Sequence, residues 1–107
     1  MNKQVKIVTP TEAGVLRRFF QAIDMLVSLN RISALESFCK EAGLSSPRYR
    51  ETRLTYGVTP TPGRESRYKS IETRALCFLC TEYNVSGDWI LTGKGKILRN
   101  EKGDIKC

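Results

Sequence analysis

The chain has 107 residues and a mass of 12.1 kDa, the size of one compact domain. Hydrophobic residues are 40% and charged residues 27%, which excludes a disordered or fibrous chain, and no apolar run reaches the roughly 20 residues of a membrane span. Lys and Arg number 18 against 11 Asp and Glu, a surplus of +7 that favours a polyanionic partner, nucleic acid first and an anionic membrane surface second.

The N-terminal residues 1–8 alternate polar and apolar and read as a short strand or a loose arm, with no apolar run suited to a signal peptide. A cytoplasmic location is expected. Thr9-Pro10-Thr11-Glu12 opens a first helix with a capping box and proline at its first position. Leu16, Phe19, Phe20, Ile23, Leu26 and Val27 follow at helical spacing and form one apolar stripe, which runs to about Leu29. Arg17 and Arg18 read as helix surface. Asn30-Arg31 makes the break.

Ser33-Ala34-Leu35-Glu36 repeats the S-x-x-E pattern and predicts a capping box for a short second helix. Its buried face is Leu35, Phe38, Cys39 and Ala42, and Gly43 stops it. Ser45-Ser46-Pro47 predicts a serine cap with proline at the first helical position of a third helix, over about 46–55. Tyr49 is its one clear core anchor. Leu54 falls on the polar side of the projection, which points to an end near Arg53 or a turn there; Gly57 is the outer limit. Val58–Lys69 is a loop built around Thr59-Pro60-Thr61-Pro62-Gly63.

Ser70 is the predicted cap of a fourth helix with Ile71, Ala75, Leu76, Leu79 and Tyr83 inward, widened by Phe78 and two cysteines. Asn84-Val85 ends it. Ser86 caps a last short helix, Gly87 to Leu91, whose Trp89 packs onto the core. Residues 96–107 are basic and weakly patterned, either a hairpin around Lys102-Gly103 or a frayed end.

The reactive residue types narrow the function. There is no histidine, so the commonest general base and metal ligand are missing. Cys77-Phe78-Leu79-Cys80 has CxxC spacing, but Cys39 and Cys107 stand singly and far away, and the pair sits mid-helix. Buried apolar thiols explain it better than metal or redox work. No phosphate-cradling glycine loop is present, so an enzyme is the least expected reading, and no cofactor or small-molecule effector is expected.

Helices two and three, joined by a turn of about four residues through Gly43, have helix-turn-helix spacing. A helix that enters the major groove needs one buried edge only, and its other faces should be polar and cationic. Arg48, Arg50 and Arg53 meet that requirement, and Ser45 and Ser46 stand at the N-terminus, where free N–H groups favour a phosphate. From Arg48 to Arg74 there are seven basic residues against three acidic ones, an excess of four that holds more than half of the net charge. Arg64, Arg67 and Lys69 in the loop suit phosphate rather than base edges. The structural alternative for the helix arginines is a solvated face partnered by Glu51.

Two segments resemble the Xre/lambda-repressor-like helix-turn-helix family of short phage-repressor-type regulators. One is Phe38-Cys39-Lys40-Glu41-Ala42-Gly43-Leu44-Ser45; the other is Tyr83-Asn84-Val85-Ser86-Gly87-Asp88-Trp89-Ile90-Leu91-Thr92-Gly93-Lys94-Gly95. The resemblance covers roughly residues 13–98. It implies an all-α, five-helix lambda-repressor-like bundle that binds operator DNA as a homodimer, with a core over 9–95 and arms at 1–8 and 96–107 in a single domain. The candidate site residues from the charge and helix reading are Ser45, Ser46, Arg48, Arg50, Arg53, Arg64, Arg67 and Lys69, set against double-stranded DNA. The sequence departs from the family pattern at Leu35, where many members carry a DNA-contacting glutamine, at Tyr49-Arg50, at Thr52-Arg53 and in the length of the loop 58–69. The alternative function is a protein-interaction module, an adaptor or antitoxin-like partner on the same scaffold.

Overall fold

The structure is a computed structural model and describes residues 8–99. The readings for residues 1–7, the Lys102-Gly103 hairpin and Cys107 lie outside the described residues. Five helices follow one another: α1 (Pro10–Ser28), α2 (Leu35–Ala42), α3 (Ser46–Tyr56), α4 (Thr73–Tyr83) and α5 (Gly87–Thr92). The fold is all-α. Among the described residues there is no strand, only an antiparallel bridge between Val85 and Leu98. None of their helices is long and apolar enough to cross a membrane.

Helix α1 begins as its sequence dictates. The Thr9 N–H donates to the Glu12 carboxylate at 3.0 Å, and the Glu12 N–H donates to the Thr9 hydroxyl at 3.1 Å. Its stripe Leu16, Phe19, Phe20, Ile23 and Leu26 is buried, with Ala22 between. Asn30 breaks the chain with a left-handed φ of 62°, a conformation that asparagine tolerates better than most residues. The predicted face of α2, Leu35, Phe38, Cys39 and Ala42, is buried throughout, and Gly43 ends it at φ 74°.

Rings join these helices. Phe19 of α1 meets Phe20, Phe38 of α2 and Tyr49 of α3 at centroid distances of 5.1 to 5.8 Å. Phe38 in turn meets Phe78 and Tyr83 of α4 at 5.5 and 6.1 Å. Tilted and edge-on rings at these distances stabilise beyond the area they bury. The Tyr49 ring is fully buried, yet its hydroxyl is satisfied. It donates to a Glu72 carboxylate oxygen at 2.9 Å and accepts from the Glu72 N–H at 3.1 Å. Burial and the neighbouring Glu72 carboxylate together drive the Tyr49 phenol well above its ordinary range.

Four local expectations are corrected. Ser33 and Glu36 form no capping box: Ala34 is the N-cap and offers no side chain. The Ser33 and Ser37 hydroxyls bond each other instead, and the Glu36 carboxylate turns to the full charge of Arg50. Helix α3 does not stop near Arg53 but runs to Tyr56, with Pro47 in its second position. It ends at Gly57, where a Cβ would lie 2.6 Å from the Arg53 carbonyl oxygen, so only glycine fits. Ser70 does not cap α4; Glu72 is the N-cap, and Ile71 packs against the core ahead of the helix. Cys77 is exposed, because it lies two residues, about 200°, from both Ala75 and Leu79, which define the inner face.

Helix α5 has six residues and is held from outside. Ser86 caps its start, Trp89 and Ile90 are buried, and Gly93 ends it at φ 80°. Arg18, read from the sequence as plain helix surface, donates from Nε to the Ile90 carbonyl at 2.7 Å and from Nη2 to the Leu91 carbonyl at 3.3 Å. These are the unpaired carbonyls of a helix C-terminus. The chain then returns past α4: the Ser86 N–H donates to the Ile97 carbonyl, and the Arg99 N–H to the Asn84 carbonyl.

Tyr49→Phe keeps the ring but leaves the Glu72 N–H and carboxylate without their partner. It should lower stability by about 1–3 kcal/mol, read as a lower denaturation midpoint at unchanged m-value. A change under half a kcal/mol would mean that water replaces the hydroxyl at no cost.

Candidate functional site

The predicted site residues fall on α3, on the turn before it and on the loop after it. Helix α3 buries only Tyr49 and Thr52. The Thr52 hydroxyl donates to the Arg48 carbonyl at 2.8 Å, so even this buried polar group is satisfied within the helix. At the helix start the Ser45 hydroxyl accepts from the Arg48 N–H at 3.3 Å. Ser46 is half-buried, and burial pushes the Cys39 thiol upward in pKa. Ser45 is thus engaged internally.

The arginines divide into two clusters. Arg50 and Arg53 face back toward α2 and α1: Arg50 Nη1 lies 3.4 Å from Glu36 Oε2, and Arg53 Nη2 lies 2.5 Å from Asp24 Oδ1. These four side chains are 40 to 53% exposed, so the pairs stand at the rim of the shallow clefts between α1, α2 and α3. Exposed pairs of this kind are each worth about 0–1 kcal/mol.

Arg48 and Arg67 form the second cluster, around Tyr68. Their guanidinium carbons lie 4.9 and 5.2 Å from its ring centroid. Arg48 Nε is buried and has no hydrogen-bond partner, since the face of the tyrosine ring, not an acceptor, covers the group. The backbone N–H of Arg67 donates to Glu51 Oε2 at 3.1 Å, and its guanidinium lies 3.5 Å from Oε1. This fastens the loop to the side of α3. Thr55 adds a bond to the Arg64 carbonyl at 3.2 Å, while the Arg64 side chain is exposed. Lys69 is half-buried and stands apart from both clusters, beside Glu12, Val15 and Leu16 of α1.

The sequence reading missed Asp24, Glu36, Tyr68 and Arg74 as parts of this surface. Glu36 carried a competing local signal, the capping box. Asp24 is 29 residues from its partner, a separation without any sequence signature. Arg74 donates to the Gly43 carbonyl at 3.3 Å and so braces the turn between α2 and α3 from α4. Among the described residues, no group of three or more Cys, Asp and Glu side chains could hold a metal ion. No family model, curated protein or solved structure matches the chain.

Chemically, the surface is a strip of arginines with half-exposed counter-charges at its edges. It suits contact with an extended anion. Glu51 reports on the loop. The hydrogen bond from the Arg67 N–H, with help from the Arg67 guanidinium, holds its carboxyl below the ordinary value of 4.5. A depressed carboxyl contributes fully above its unfolded pKa and stops contributing as pH falls through the folded value. NMR titration should therefore find the Glu51 midpoint below 4.5, with the Arg67 and Tyr68 amide signals moving at the same midpoint. A midpoint at or above that value would show that the loop is not fastened through Glu51.

Proposed function

We propose that the chain is a sequence-specific double-stranded DNA-binding regulator of transcription, built as a lambda-repressor-like helix-turn-helix bundle, with α3 as the helix that enters the major groove. One observation carries the reading. Helix α3 follows α2 through the left-handed Gly43 turn, spends only Tyr49 and Thr52 on the core, and leaves Arg50 exposed and Arg53 partly exposed on its flank. That is what base reading requires of a helix: a fixed seat and long cationic side chains at the surface. Under this reading Arg48 is a positioning residue, since its guanidinium is occupied by Tyr68, and Arg50 and Arg53 face the bases. Arg64 and Arg67 grip phosphates. A homodimer on a two-fold operator is part of the proposal.

Selection from a random duplex pool at two salt concentrations tests it. A palindromic site should be enriched, and affinity should fall with salt by a log–log slope of about −0.9 per phosphate contacted. Arg50→Ala should weaken the selected duplex by about 1–3 kcal/mol while random duplex loses much less. Equal loss on both would make Arg50 a phosphate contact, and no enrichment would overturn the reading.

A protein-interaction module is the second reading, favoured by the internal pairing of Arg50, Arg53 and Arg67 and by the apolar surface between α4 and α5, where Leu91 is 54% exposed. It requires a partner complex that salt hardly weakens.

A further inference from the structure

We propose that Glu36 and Asp24 are internal competitors for the polyanion: they hold Arg50 and Arg53 in a paired resting state and thereby set how tightly α3 binds. The inference rests on the DNA-binding reading and adds its regulation.

The argument starts from geometry. Each carboxylate comes from a different helix, Asp24 from α1 and Glu36 from α2, and each meets an arginine on α3. The contact is single in both cases, one guanidinium nitrogen to one carboxylate oxygen, rather than the two-pronged fork that locks an arginine. Both pairs are close to half exposed, so solvent screens them and a competing anion can reach them. A fully buried pair would be fixed; these are poised to open.

A guanidinium that reads a guanine edge uses two adjacent N–H groups in one fork. It has to leave its carboxylate to do so. The cost is full wherever the arginine leaves its partner, as on a correct site. It is no greater on a wrong site, where the arginine can stay paired. Neutralising the carboxylate should therefore help the selected duplex at least as much as a random one.

The test measures affinity for the selected duplex and for a random duplex at about 100 mM salt, for the full chain and for Glu36→Gln, Asp24→Asn and the control Glu82→Gln. Glu82 is exposed on α4 and makes no ion pair among the described residues. Each of the first two variants should bind the selected duplex about 1.5- to 5-fold more tightly, the range set by the worth of an exposed pair. Glu82→Gln should not. The gain from Glu36→Gln should vanish when Arg50→Gln is also present, because the coupling belongs to that pair. A gain that survives Arg50→Gln would reduce Glu36 to general repulsion and overturn the inference, as would no gain in either variant. Glu36→Gln and Asp24→Asn keep the size of the side chain, and because they lie on different helices they guard against a local folding defect. If the unsubstituted chain binds no duplex even at low salt, the DNA-binding reading fails, and the two failures are thereby distinguished.

Discussion

The seat of Tyr49 is the constraint on which the candidate surface depends. A polar helix with two buried side chains has little apolar area with which to hold a fixed orientation. Tyr49 compensates by filling the space between α1 and the start of α4. Its ring lies against Phe19, and its hydroxyl both donates to and accepts from Glu72. Two bonds in opposite senses to one residue fix rotation as well as depth. Because Glu72 is also the N-cap of α4, the interaction sets where that helix starts and how far α3 stands from it.

The charge distribution is more balanced than net charge suggests. Arg50, Arg53 and Arg67 each have a carboxylate partner, and Arg48 spends its cation on a tyrosine ring. A surplus of +7 over the chain therefore does not mean a bare cationic helix. Glu51 and Thr55 also hold the loop 58–69 against α3. The pairing moderates indiscriminate attraction to any polyanion.

Much of the fold was legible because much of it is local. The Thr9–Glu12 box, the Gly43 stop, the Ser45 and Ser86 caps and the left-handed Asn84 each involve groups within a few residues, and all lie where the sequence places them. The apolar stripes of α1 and α2 follow from periodicity alone. The misses involve competition. Ser33 and Glu36 carry a capping pattern, but Arg50 draws the carboxylate away. Ser70 is a good capping residue, but Tyr49 fixes Glu72 and the helix begins there. Cys77 is apolar enough to bury, but α4 has only one inward face. In the candidate site the cationic residues were visible and their partners were not, since Asp24, Glu36 and Tyr68 are brought to them only by tertiary packing.

The bond from Arg18 to the carbonyl end of α5 bridges 72 positions of chain. A six-residue helix has no stability of its own, so α5 exists only where α1 already presents its surface and Arg18 its donors. Folding of α5 therefore follows the ordering of α1, and until then the apolar side chains that Trp89 and Ile90 cover stay open to water.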